Sequence, residues 1–156
     1  AALLEICGGN SYEGECAIAL EQAGHKGKEE IEIETLDELL KVQYVKEDGI
    51  WQVDSVKLLV DLYELKQKYS KEVLAYLFHY AVANVIIEMA VVVCMEQETK
   101  QVVLSGGTFI NRILLKKIVV GLLERNIKVY INEKVPCGDG GIALGQMYLA
   151  SYLLTN

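Results

Sequence analysis

The chain has 156 residues, 52% of them apolar, and a formal charge of −7 at pH 7. That length allows one domain or one large lobe with ample material for a core. The acidic balance argues against a nucleic-acid-binding surface, because phosphate contacts need clustered Lys and Arg, and with only two histidines, His25 and His79, a self-contained His-rich metal site is excluded.

Ala1–Cys7 carries the pattern of a helix end stopped by Gly8-Gly9, and a chain that opens in mid-pattern reads as a cut segment. Ser11–Gly14 reads as a turn and Glu15–Ala23 as a helix, with Gly24 and Gly27 bracketing its end. Glu30–Glu34 alternates Glu and Ile, which predicts a half-buried strand with the isoleucines inward. Lys41–Val45 and Ile50–Val53 read as a hairpin around a turn ending Asp48-Gly49. Asp54 or Ser55 caps a helix running to about Tyr69. Ser70 caps a second that continues to Glu98, roughly 28 residues and about 42 Å long, so a break or bend is expected. Its apolar stretch, Ala81–Met95, is short of the about 20 residues that cross a bilayer and contains Asn84 and Glu88. It reads as a buried core helix, with no signal peptide and no membrane partner.

The last third is the most regular. Val102–Leu104 is a short strand, Ser105–Thr108 a turn, Phe109–Arg125 a helix, Lys128–Ile131 a strand, Asn132–Gly141 a loop and Ile142–Leu154 a final helix. Strand–helix–strand in this order implies a parallel pair, and open α/β sheets bind ligands at the carboxyl ends of their strands. The turn at Ser105, Gly106 and Gly107 and the loop Cys137–Gly141 should therefore lie side by side. Both lead toward helix N-termini, where glycines admit a ligand to the backbone and free N–H groups favour anions. Asn111, in the first turn of its helix, would reach a ligand over Gly106-Gly107. Asp139 among glycines suits a hard metal ion. Each feature has a plainer reading: Ser-Gly-Gly as an ordinary turn, Asp139 as a helix cap, His79 as a satisfied core histidine. No Gly-Lys-Ser/Thr follows the turn, so it is not a P-loop.

The four cysteines, Cys7, Cys16, Cys94 and Cys137, lack metal-site spacing and read as buried reduced thiols of a cytoplasmic protein.

Four segments carry a family resemblance. Ser11-Tyr12-Glu13-Gly14-Glu15-Cys16-Ala17-Ile18-Ala19-Leu20-Glu21 resembles SYEGQAAxxLE of the HypF hydrogenase-maturation carbamoyltransferases, and Phe78–Ala83 resembles their FHxxLA. Leu104-Ser105-Gly106-Gly107-Thr108-Phe109-Ile110-Asn111-Arg112 is similar to LSGGVFQNR, and Val135–Gln146 to VPPNDGGIALGQ. The order is that of the family and the segments cover most of the chain.

The resemblance implies an α/β fold of the actin-like ATPase and sugar-kinase (ribonuclease H-like) type, here as one lobe, residues 1–156 forming the C-terminal part of the carbamoyl-transfer domain. It implies use of carbamoyl phosphate and ATP, a carbamoyl adenylate, and transfer of the carbamoyl group to the C-terminal cysteine of HypE for cyanide ligand synthesis in nickel–iron hydrogenase maturation. Ser105, Gly106, Gly107 and Asn111 would hold the adenylate and Gly14 would approach its ribose or adenine side. Asp139 would be one ligand of a divalent metal (zinc, iron or magnesium) completed by ligands outside this chain. The family's paired metal histidines lie on an H-x-x-x-H helix that neither His25 nor His79 matches, and its ribose-binding aspartate would fall just before Ala1. Thr108 and Ile110 replace Val and Gln beside the turn; Cys137 and Gly138 replace Pro and Asn beside Asp139.

On this reading the chain supplies no catalytic residue and is inactive without the N-terminal modules of HypF. An apolar face left open by their absence can drive homodimerisation. A related O-carbamoyltransferase, a tRNA threonylcarbamoyl transferase and a non-catalytic binding module stay open as alternatives.

Overall fold

A computed structural model describes residues 1–9, 11–32, 36, 39, 40, 42 and 44–155. Ala2–Leu4 form a single 3-10 turn, not the expected helix end, and Glu5 turns into the left-handed region at φ 55°. Helix α1 spans Glu15–Gly27, four residues beyond Ala23. A strand had been expected at Glu30–Glu34. Ile31 and Glu32 are not in one, and Ile33 and Glu34 lie outside the described residues.

The hairpin forms as β1, Tyr44–Glu47, paired antiparallel with β2, Ile50–Val53. Its first strand is shifted from the expected Lys41–Val45, of which Lys41 and Gln43 lie outside the described residues and Val42 is not in a strand. Asp48 and Gly49 both take positive φ (50° and 78°). That backbone matches the twist of a two-residue hairpin and explains the Asp-Gly signal. Tyr44 and Trp51 meet edge to face at 5.7 Å.

Asp54 caps α2, Ser55–Leu65, its carboxylate accepting the Lys57 N–H at 2.8 Å. The helix stops at Leu65 and not at Tyr69; turns fill the gap to Ser70. Ser70 Oγ then accepts the Val73 N–H at 3.2 Å and starts α3, Lys71–Glu96, which runs its 26 residues without the expected break. The first half of α3 is apolar around its whole circumference, and such a helix must be buried on all sides. Leu74, Ala75, Leu77 and Ala83 are at most 1% exposed. Each fully buried leucine contributes about 1.5–3 kcal/mol. By length and composition α3 could cross a membrane, but here it is the common wall of two cores. The first core gathers Leu20, Leu58, Leu62, Leu74, Leu77 and Tyr80; the second gathers Ile87, Leu104, Leu114, Ile118 and Leu122.

Strand β3, Gln101–Leu104, pairs in parallel with β4, Lys128–Ile131, Leu104 opposite Ile131. Helix α4 joins them but spans Arg112–Glu124, not Phe109–Arg125, because Gly107–Ile110 first make a 3-10 turn. A further 3-10 turn, Asp139–Gly141, precedes the last helix, α5, Ile142–Thr155.

The glycines of α1 are packing residues more than helix stops. A Cβ on Gly27 would sit 2.0 Å from the Glu72 carbonyl oxygen and 2.5 Å from the Val73 nitrogen. A Cβ on Gly24 would meet Ile113 Cδ1 at 3.0 Å and His79 Nδ1 at 3.4 Å. The end of α1 thus rests directly on the backbone at the start of α3, and Gly24 lies inside the helix for that reason. Replacing Gly27 by alanine should cost about 1–3 kcal/mol, since backbone and not a side chain must yield. Urea unfolding of Gly27→Ala checks this; wild-type stability would mean the two helices do not approach so closely.

Candidate functional site

The two glycine turns meet as the strand order requires. Gly106 N–H donates to the Cys137 carbonyl at 3.0 Å, and a Cβ on Gly138 would lie 3.7 Å from Gly107 Cα. Gly106 has φ +102°, a conformation that excludes ordinary side chains. A Cβ on Gly106 or Gly107 would touch nothing, so this backbone is open to an incoming group. Ser105, at the end of β3, is exposed beside it.

Asn111 borders the open backbone as the N-cap of α4, one position before the first helical turn where it was expected. Its Oδ1 accepts the Leu114 N–H at 3.0 Å, and its Nδ2 lies 2.9 Å from His79 Nε2. His79 reaches up from α3, 2% exposed, with Nδ1 2.7 Å from the Ala75 carbonyl oxygen. A carbonyl only accepts, so Nδ1 carries the proton and Nε2 is the acceptor. The Asn111 amide must then point its NH2 at His79 and its oxygen at Leu114, and both ends agree on that orientation. One N–H and one lone pair of the amide remain for a ligand.

The N-terminus of α4 is less open than the glycines suggested. Arg112 N–H donates to Glu21 Oε1 at 2.7 Å, so a carboxylate from α1 already occupies the first turn, and Asn111 serves Leu114. Anion binding by free N–H groups at this terminus is therefore corrected: the favourable end of the helix dipole is taken by Glu21. Glu21 closes the first quoted motif and His79 sits in the second, yet neither was singled out for the site. Only their positions inside those motifs could have signalled them.

Gly14 caps α1 with φ +85° and is exposed. It lies seven residues before Glu21, about 10 Å along the helix, and makes no hydrogen bond to the glycine turns. Asp139 is exposed at the first position of its own 3-10 turn, whose cap is Gly138. Among the described residues no three His, Cys, Asp or Glu side chains lie close enough to hold a metal. Asp139 fits a metal only as one ligand completed from elsewhere.

Of the thiols only Cys94 is buried; Cys7, Cys16 and Cys137 are partly exposed, which corrects the expectation of four buried cysteines. Cys7 and Cys16 both turn to the Gly9 carbonyl, at 2.8 and 3.6 Å. A side-chain hydrogen bond between the two thiols that favours the protonated form of Cys16 is the main cause that raises the Cys16 pKa.

Known proteins resemble the chain over most of its length. The family model described as "Carbamoyltransferase, Kae1-like Domain, second subdomain" matches residues 1–146. A probable carbamoyltransferase HypF of Methanocaldococcus jannaschii is 28% identical over 99% of the chain, and a HypF homologue of Cupriavidus necator is 38% identical over 49%. A crystal structure of full-length HypF in a phosphate- and nucleotide-bound form superposes with TM-score 0.81 at 33% identity over 99% of the chain; HypF of T. kodakarensis gives 0.73 at 30% over 97%. The chain spans about a fifth of the length of these relatives: 19% of the M. jannaschii protein and of each crystal chain, and 20% of the C. necator homologue. The α/β fold of the actin-like, ribonuclease H-like type is thereby borne out.

Burial lowers the His79 pKa below its ordinary value of about 6.5. The bond to Ala75 and the charge of Glu21 oppose this, while His25 and the N-terminal amine add to it. The unfolded chain then takes up a proton at a pH where the folded chain does not. Stability from this group is complete above about pH 6.5 and falls as pH drops toward the folded value, by at most about 1.4 kcal/mol per pH unit. The difference in urea midpoint between wild type and His79→Gln, followed from pH 7 to 5, should shrink in that direction. A difference independent of pH would show His79 to be solvated.

Proposed function

We propose, for a chain that belongs to the HypF carbamoyltransferase family as the second subdomain of its Kae1-like domain, that it forms the adenylate-holding side of a carbamoyl-transfer site. The observation that carries this is the Gly106–Cys137 hydrogen bond, which closes two glycine turns into one open backbone surface beside the Asn111 amide. The nucleotide-bound state of the similar full-length HypF supports it.

The donor is a carbamoyl adenylate, made from carbamoyl phosphate and ATP by the complete protein, and the acceptor is the C-terminal cysteine thiolate of HypE. The chain's own part is positioning. Gly106 and Gly107 let the nucleotide lie on the backbone, Ser105 offers a hydroxyl at their edge, and Asn111 offers its spare N–H and lone pair. Gly14 approaches the ribose or adenine side once the remaining modules are in place. Holding the mixed anhydride in one orientation while the thiolate attacks is an entropic contribution to rate. Asp139 supplies one carboxylate oxygen to a divalent metal whose other ligands come from outside the chain. Such a metal would offset charge on the phosphate leaving group. The chain contributes no nucleophile, and the site works in the cytoplasm as part of the longer enzyme.

Exposed apolar side chains on α5, including Met147 at 72%, Tyr148 at 77% and Leu154 at 87%, form a surface that the other modules cover. The chain's 19% share of its relatives supports that occupant over a second copy of itself.

In the complete carbamoyltransferase, Asn111→Ala and Asp139→Ala should each lower transfer to the HypE cysteine about tenfold or more, consistent with loss of one positioned polar contact. Carbamoylated HypE measured by mass spectrometry reads this out. Unchanged transfer in both variants would reject the site.

A further inference from the structure

Asn111 is not free to choose its orientation, and the group that restricts it lies on another helix. His79 is buried where α1, α3 and α4 converge: Gly24 of α1 leaves its ring room, and its Nε2 faces the Asn111 amide. A buried imidazole with one nitrogen on a carbonyl has a single lone pair left, and here that lone pair meets Nδ2 at 2.9 Å. Without it, the Asn111 NH2 would have no fixed partner on this side, and the amide could rotate about its last torsion while still serving Leu114 part of the time.

We infer that His79, as a neutral Nδ1-protonated imidazole, is a positioning residue: it fixes the Asn111 carboxamide so that one N–H and one lone pair face an adenosine nucleotide over Gly106-Gly107. This rests on the reading of Asn111 as a nucleotide contact. His79 touches no ligand itself. It acts from the core, and its effect passes through one hydrogen bond. The same bond ties α3, shared by both cores, to the cap of α4.

The test is AMP titration of the complete carbamoyltransferase by calorimetry, with wild type, Asn111→Ala, His79→Leu, His79→Gln and the double variant His79→Leu/Asn111→Ala. Glutamine reaches about as far as the imidazole and retains an acceptor; leucine retains the bulk and loses it. His79→Leu should weaken AMP about tenfold, of the order set by one hydrogen bond, and His79→Gln should recover to within about twofold. The double variant should bind no more weakly than Asn111→Ala alone, because the two residues act through one contact. Side-chain amide NMR gives a readout independent of ligand: the Asn111 NH2 should be slow to exchange in wild type and His79→Gln and fast in His79→Leu. Wild-type AMP affinity in Asn111→Ala, or no AMP binding by wild type, would remove the nucleotide reading and this inference with it. Loss in Asn111→Ala with none in His79→Leu, or an unchanged Asn111 amide in His79→Leu, would overturn the inference alone.

Discussion

Helix α3 belongs to both cores at once. Its first half packs with α1 and α2 through Leu74, Leu77 and Tyr80, and its second half packs with α4 and the parallel pair through Ile87 and Cys94. A helix so placed cannot rotate or slide without disturbing two sets of contacts, and close-packed interiors resist such movement. His79 lies near the junction, eight residues before Ile87. The rigidity of the shared helix is therefore delivered to the edge of the glycine turns through one imidazole.

Charge is arranged with similar economy. The chain is acidic overall, yet its open site borders a helix N-terminus that an internal carboxylate has already neutralised. Glu21 binds α1 to α4 and leaves the site to be defined by neutral backbone and amide groups. Recognition through such groups depends on geometry more than on long-range attraction, which suits a ligand that must be held in one pose. The hairpin is fastened differently, by exposed contacts: Lys46 pairs with Glu96 near the end of α3, and Glu88 accepts a hydrogen bond from Tyr44 and so raises the tyrosine pKa. Pairs of this kind in water contribute little each, so the hairpin is weakly attached to α3.

The sequence was most legible where local chemistry decides the outcome. Asp54 and Ser70 cap the helices they were expected to cap, Asp48-Gly49 turns the hairpin, and the parallel pair brings Gly106 beside Cys137. Family resemblance rested on four segments, and the family model and solved relatives agree with it. Less legible were features set by contacts between distant segments. Nothing in the spacing of Gly24 and Gly27 says that they mark a helix crossing. No local signal sends Glu21 to the Arg112 N–H, or moves Asn111 from the first turn to the cap because a 3-10 turn precedes it. The meeting of Cys7 with Cys16 at Gly9 likewise follows from how the chain folds back before α1. Periodicity describes one element at a time, and each of these depends on two.

The two cores differ in how far along the chain their members lie. The second is assembled from α3, β3, α4 and β4, four consecutive elements between Lys71 and Ile131. The first needs α1 to return to α3 across the whole stretch from Lys28 to Ser70. Closing a longer loop has a higher entropic cost, and contacts near in sequence form sooner. Sequence separation therefore favours assembly of the second core ahead of the docking of α1 onto α3. The candidate site combines both kinds of contact: the Gly106–Cys137 bond joins the segments that follow two neighbouring strands, while the Glu21–Arg112 bond spans 91 residues and needs α1 in place.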